Sequence, residues 1–259
     1  MPTFSLILEK TTIIAGEPIR GELRSETPIR AKFYVLLSSL LFPGTEAVPK
    51  HKTLYYEERE LKQGSFEFAY PIDLPPTIHG RAHRVRWGIL FGIPRMGGKL
   101  LYPRKDVRIK VFPRKPAVKL PDWIELDKEF YKSYDIVRAK IRDESIEPAN
   151  SLLELEAEEW LSLKNERREM RYLLSEGTLK REGLNTIAEV RIPYDPTRVE
   201  DFSFFFPYNF TYRSGDFSFG ARVNLVLTHG NEERRAEIPV WTGEPRYARG
   251  LERQRGPLF

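Results

Sequence analysis

The sequence predicts an all-β protein made of two antiparallel β-sandwiches in tandem. Three observations predict it. Apolar and polar residues alternate over many short segments, which is the period of a half-buried strand. Prolines and glycines separate these segments at regular intervals, as in sandwich proteins. The chain also matches itself at a long offset, which indicates that one structural unit occurs twice.

The internal match begins with two ungapped segments of equal length, residues 8–24 and 126–142. LEKTTIIAGEPIRGELR aligns with LDKEFYKSYDIVRAKIR at an offset of 118 residues. After Pro75 the offset grows to 136. The second copy therefore carries an insertion of about 18 residues between Pro193 and Gly215.

The strand alternation is clearest in residues 84–91 and 106–111. In each of these segments the apolar residues share one face and the basic residues take the other. The apolar positions are Val85, Trp87, Ile89 and Phe91 in the first segment, and Val107, Ile109 and Val111 in the second.

One segment favours a helix when it is taken alone. SLLELEAEEWLSL, residues 151–163, has high helix propensity. Its partner in the repeat is FYVLLSSLLF, residues 33–42, which has strand composition, and this register places Val35 on Leu153. Because tertiary context overrides propensity, we predict a strand here.

The repeat divides the chain into two predicted domains, residues 1–117 and 118–247, followed by a basic tail at 248–259. The connection between the sandwiches should be PRKPAVKLPD, residues 113–122. Its three prolines predict a stiff, extended linker.

The composition is that of a globular protein with 41% hydrophobic and 31% charged residues. The chain of 259 residues contains no cysteine, which excludes disulfides and thiolate chemistry. The N-terminus has no signal-peptide pattern, and the longest apolar run, residues 33–42, is about half of what a bilayer requires. We expect a cytoplasmic protein, and its abundance of Lys, Arg and Glu is typical of thermophilic proteins.

Two stretches resemble the arrestin-like family. AGEPIRGELR, residues 15–24, is similar to the opening glycine–glutamate turn and strand of these proteins, and FAYPIDLPPTIHGRAHRVRWGI, residues 68–89, to their aromatic strand and Leu-Pro bend. The resemblance covers roughly residues 3–242. It implies a pair of tandem β-sandwiches and a non-catalytic binding function, as in arrestins, an arrestin-like retromer subunit and a bacterial sporulation-control protein. Phosphorylated-receptor sensing is not implied, because the charged cluster that arrestins use for it has no clear counterpart here.

The sequence contains no pattern typical of an enzyme. The four histidines have no metal-binding spacing, and no nucleophile, phosphate-loop or dinucleotide motif is present. Adjacent carboxylates such as Glu158 and Glu159 should point to opposite faces of a strand, which does not suit acid–base catalysis. We therefore expect no catalytic residues, no metal and no cofactor.

A basic stretch stands out against the overall net charge of +5. Residues 79–119 hold twelve Lys or Arg and one acid, Asp106, so they carry +11 and the rest of the chain −6. If residues 84–91 and 106–112 pair, four cations share one solvent face, which is unfavourable unless something offsets their repulsion. An anionic membrane or a nucleic acid would do so, and so would Glu57, Glu58 and Glu60 on a neighbouring strand. The predicted anion-binding residues are Arg84, Arg86, Arg108 and Lys110.

The insertion is rich in aromatic residues. Phe217 and Phe219 continue the register of the repeat and should point into the second core. Four other aromatics have no equivalent in the first copy, and they either pack at the seam between the sandwiches or form an exposed patch for a partner or a homodimer. These predicted interface residues are Phe205, Tyr208, Phe210 and Tyr212.

The sequence thus predicts a non-catalytic scaffold or adaptor that binds protein partners through strand edges or the concavity between the sandwiches. The alternative is a peripheral binder of anionic membrane or nucleic acid through the basic face of residues 79–119. LLELE, residues 152–156, matches the clathrin-binding pattern of some arrestins, but its place on a predicted core strand argues against that use.

Overall fold

The computed structural model describes residues 4–43, 48–69, 73–94, 100–132, 134–193 and 208–241. Its strands form four sheets, and these build two β-sandwiches in tandem, so the predicted fold class is confirmed. The basic tail at 248–259 lies outside the described residues. No helix in the described ranges is long and apolar enough to cross a bilayer.

The first half of the chain contributes a three-stranded and a six-stranded sheet. The smaller sheet has the order β1 (Phe4–Leu8), β3 (Ile19–Ser25), β6 (Gly64–Phe68). The larger has the order β2 (Thr12–Ile14), β9 (Leu100–Phe112), β8 (His83–Pro94), β4 (Ile29–Ser39), β5 (Lys50–Leu61), with β7 (Ile78–His79) paired to β8.

The second half contributes a four-stranded and a five-stranded sheet. The smaller sheet has the order β10 (Ile124–Leu126), β11 (Ile136–Ile141), β15 (Asn185–Arg191), β14 (Thr178–Glu182). The larger has the order β13 (Glu166–Glu176), β12 (Ser151–Leu163), β17 (Phe217–His229), β16 (Phe210–Ser214), with β18 (Glu232–Ile238) paired to β17.

The repeat that the sequence predicts reappears as a repeat of topology. The order β1–β3–β6 corresponds to β10–β11–β15, and β9–β8–β4–β5 corresponds to β18–β17–β12–β13. Even the short parallel pairing of β2 with β9 has a counterpart in the parallel bridge between Tyr131 and Val240. The segment predicted as an insertion contains β16, which pairs with β17 as β7 pairs with β8.

A β-bulge is repeated as well. The β4–β5 ladder skips Leu54 beside Val35, and the β12–β13 ladder skips Leu174 beside Leu155. The structure thus places Val35 on Leu155, two residues beyond the Leu153 that the sequence alignment gave. Because the shift is even, every side chain keeps its predicted face.

The two halves bury two apolar clusters. β12 is a strand, as its repeat partner predicted, and its inward residues Leu153 and Leu155 lie in the second cluster. The far end of the β12–β17 pair instead packs on the first cluster, to which Leu161, Phe217 and Phe219 belong. The expectation that Phe217 and Phe219 fill the second core is therefore wrong.

Candidate functional site

The residues predicted to bind an anion lie on β8 and β9, which pair antiparallel. Arg84, Arg86 and Arg108 line one groove with a volume of about 230 Å³. Lys110 lies on the same strand as Arg108 but does not line this groove, and its ammonium sits 5.7 Å from the centre of the Phe112 ring. The structure therefore brings together three of the four predicted residues.

The groove avoids direct opposition of like charges. Arg108 lies opposite Gly88 rather than another cation. The Tyr34 ring lies over Gly88, where a Cβ would collide with it, and the Tyr34 hydroxyl donates a hydrogen bond of 2.9 Å to Asp106. Burial, helped by the Asp106 carboxylate, raises the pKa of Tyr34 to about 12. A tyrosine and one acid therefore separate the arginines of the groove.

Two of the three carboxylates expected to neutralise this face, Glu57 and Glu58, pair with other cations. Glu58 pairs with Arg30 at 2.9 Å and with Lys32 at 3.6 Å, because β4 lies between β5 and β8. Glu57 pairs with a residue of its own strand, Arg59. In the described part of the chain no carboxylate lies within 4.0 Å of the guanidinium groups of Arg86 and Arg108. The expectation that carboxylates of β5 neutralise Arg86 and Arg108 is therefore wrong.

The aromatic residues of the insertion pack at the seam between the sandwiches. Tyr208 and Tyr212 are buried, and Phe210 is partly buried against the first cluster. The Tyr208 hydroxyl donates to the carbonyl of Thr77 in the first half. Phe205 lies outside the described residues. The alternative in which Tyr208 and Tyr212 form an exposed patch is therefore wrong, and the alternative in which they pack at the seam is correct for these two residues.

A buried glutamate joins the two halves. Glu159 on β12 is 1% exposed, and its carboxylate accepts hydrogen bonds from three consecutive backbone N–H groups. The donors are Arg81 at 2.6 Å, Ala82 at 3.0 Å and His83 at 2.8 Å, and the Tyr172 hydroxyl adds a fourth bond at 2.9 Å. Four donors compensate for the burial of one charge, so this contact fixes the turn before β8 against β12.

His83 crosses the same seam as a neutral ring. The Trp160 carbonyl can only accept, so Nε2 of His83 carries the hydrogen and donates to it at 3.0 Å. Nδ1 then accepts from the Ser39 hydroxyl at 2.9 Å, while the Ser39 oxygen accepts from the N–H of Leu41 at 3.0 Å. Burial lowers the pKa of His83, although the nearby Glu159 opposes this.

The polar contacts that Glu159 and His83 make across the seam were not predicted from the sequence, although one signal for them was present. Glu159 continues the inward face of Leu153, Leu155 and Ala157, so parity alone places a carboxylate where apolar residues belong. Glu158 points to the opposite face, as predicted for adjacent carboxylates, and pairs with arginines there.

The motif LLELE lies inside β12, which pairs along its length with β17 and with β13 over most of it. The described residues contain no group of His, Asp and Glu side chains placed to bind a metal.

The two sandwiches, their repeated topology and the seam define a protein with the arrestin-like tandem β-sandwich fold. Among solved structures, the crystal structure of squid arrestin is similar, with a TM-score of 0.58 over 94% of this chain and 95% of that chain. The two sequences are 10% identical, so the likeness concerns the fold. No family model and no curated protein sequence matches the chain significantly.

Proposed function

We propose that this protein is a non-catalytic scaffold or adaptor, and that a partner protein adds a strand to the free edge of β5. The arrestin-like fold supports a binding function. The observation that carries the proposal is the edge itself. Among the described strands β5 pairs with β4 alone, and it is 12 residues long. A long strand with one unpaired edge offers main-chain hydrogen bonds to an extended partner segment.

The charges of β5 select the partner. Its first half carries Lys50 and Lys52, whereas its second half carries three glutamates, Glu57, Glu58 and Glu60, and one arginine, Arg59, which leaves that half net acidic. An antiparallel partner strand fits when basic residues occupy its first half and acidic residues its second half. Edge strands commonly carry bulges and charged side chains that prevent unspecific pairing with other chains. In β5 the bulge at Leu54 and the charges have this effect. The partner is thus an extended segment of another protein that runs from basic to acidic.

Two synthetic peptides test this proposal. One runs from basic to acidic residues, and the other has the same composition in the opposite order. We expect the first to bind about tenfold more tightly, since several cross-strand charge pairs each contribute up to about 1 kcal/mol. Glu60→Lys, a change at an exposed position, should reduce this preference, whereas Glu129→Lys, the same change at an exposed position in the second half of the chain, should leave it intact. Equal binding of the two peptides would contradict strand addition at β5.

A second candidate function is binding of anionic membrane or nucleic acid through the basic groove. The observation that favours it is the convergence of Arg84, Arg86 and Arg108 on one groove, where no described carboxylate lies within 4.0 Å of the Arg86 or Arg108 guanidinium. Such binding would fall steeply with salt. It would also be lost when Arg84, Arg86, Arg108 and Lys110 are changed to Ser, whereas peptide binding at β5 would survive that change.

A further inference from the structure

The outer face of the five-stranded sheet holds a row of four matched polar residues. The register aligns Arg167 of β13 with Ser162 of β12, Ser162 with Ser218 of β17, and Ser218 with Arg213 of β16. Opposed residues on one face of a sheet are neighbours. The row therefore places two small hydroxyl side chains between two arginines, across four strands.

The neighbouring pair in the register, Trp160 and Gly220, adds depth to a groove along this row. Gly220 leaves room for the Trp160 indole, which a Cβ at that glycine would approach to 2.9 Å. The Arg167 guanidinium stacks over that indole, 4.9 Å from the ring centre. Small residues thus form a floor and long side chains form walls. The groove has a volume of about 400 Å³, and Arg167, Arg213 and Arg222 all line it.

A buried carboxylate holds two of these arginines in place. Glu158 is 1% exposed and accepts from Arg167 at 2.9 Å and from Arg222 at 2.6 Å. Arg171 also approaches it, at 3.5 Å. Fixed side chains bind a ligand at a lower entropic cost, so this buried support makes the arginines a preorganised site.

The arginines keep unused capacity for an anion. One carboxylate, Glu158, serves three guanidinium groups, and Glu169 serves two of the same three. In the described ranges no carboxylate lies within 4.0 Å of the Arg213 guanidinium. The buried Nε–H of Arg222 has no hydrogen-bond partner either. Glu237 also lines the groove, where it accepts from Asn209 at 2.6 Å.

We propose that this arginine cradle, formed by Arg167, Arg213 and Arg222, binds a phosphate monoester group. Guanidinium groups bind phosphate oxygens in forked pairs, and the hydroxyls of Ser162, Ser218 and Thr211 supply further donors. The cradle lies on the second sandwich, so the proposal is independent of β5 and of the basic groove on β8 and β9. The phosphate belongs either to a soluble metabolite or to a lipid headgroup.

Calorimetric titration of the full chain tests the cradle, with phenyl phosphate as the probe. Arg213→Ser should weaken binding at least about tenfold, because it removes a charge-assisted contact. Arg191→Ser makes the same change at an exposed position of β15 and should bind like wild type. Ser218→Val fills the floor without changing charge and should also weaken binding. Unfolding curves of all variants show that each is folded.

Vesicles distinguish the two sources of phosphate. If the headgroup is the ligand, phosphatidylcholine vesicles that contain phosphatidic acid should retain wild type and release Arg213→Ser. If the ligand is soluble, phenyl phosphate binds and these vesicles do not retain the chain. The proposal is overturned if wild type binds neither probe saturably, or if Arg191→Ser and Arg213→Ser lose binding equally.

Discussion

At the scale of single residues, neighbouring glutamates on β12 have separate tasks. Glu158 faces outward and pairs with arginines, whereas Glu159 faces inward and accepts hydrogen bonds from backbone N–H groups of the other sandwich. The alternation of a strand is sufficient to separate them. A buried carboxylate is stable only with such partners, so both positions are sensitive to the loss of charge or of donors.

The neutral ring of His83 makes the seam sensitive to pH. Burial lowers its pKa in the folded chain, whereas the unfolded chain titrates near 6.5. The unfolded state therefore binds more protons as the pH falls below about 6.5. The contribution of His83 to the free energy of unfolding should be fully present above this pH. It should fall as the pH drops towards the folded pKa, by at most about 1.4 kcal/mol per pH unit.

Urea unfolding at a series of pH values between about 7.5 and 5.5 measures this effect. His83→Gln is the control, because glutamine does not titrate and the other three histidines remain. We expect the pH slope of wild type to exceed that of the variant. Equal slopes would show that His83 does not carry a lowered pKa.

At the scale of elements, the strands were largely predictable from the sequence. Alternation of apolar and basic residues marks β8 and β9, and the repeat identified β12 against its helix propensity. The assignment succeeded because a strand must bury the same face in both copies.

The polar contacts of the seam and the arginine cradle could not be predicted in the same way. The cradle depends on register across four strands, and a bulge such as Leu174 shifts that register without a signal in the sequence. The sequence of the insertion does not indicate that β16 pairs with β17. This pairing places aromatic residues of both strands against the first sandwich. Parity predicts the face of a side chain but not the sandwich that covers that face.

The beginning of β17, at Phe217 and Phe219, should hold the two sandwiches together. Phe219 is fully buried and contacts His83 edge to face, with ring centres 5.3 Å apart. Phe219→Ala should lower the free energy of unfolding by about 3–5 kcal/mol. It should also speed tryptic cleavage at Arg81, since Glu159, on the strand beside β17, holds the turn that contains this residue. Leu225→Ala, in the second cluster, is the control: if it speeds that cleavage equally, Phe219 has no special part in the seam.

At the scale of the whole molecule, the seam and the linker make one frame of two sandwiches. Besides Glu159, the indole N–H of Trp241 donates at 2.9 Å to the carbonyl of Pro113 at the start of the linker. Lys115 in the linker lies 4.7 Å from the centre of the Phe130 ring. A fixed frame suits the scaffold function proposed above, because each binding surface then keeps its place relative to the others.

Glu159 should hold the two sandwiches in one arrangement, and a distance measured between the sandwiches tests this directly. The chain has no cysteine, so Lys62→Cys and Leu184→Cys, both at exposed positions, accept spin labels at defined sites, one on each sandwich. Pulsed electron spin resonance then measures the distance distribution between the labels. Glu159→Gln replaces an acceptor oxygen with an NH₂ group among backbone donors, and Glu154→Gln on the outer face is the matched control. We predict one narrow distribution for wild type and Glu154→Gln and a broad one for Glu159→Gln; a broad wild-type distribution, or an unchanged Glu159→Gln, would contradict the claim.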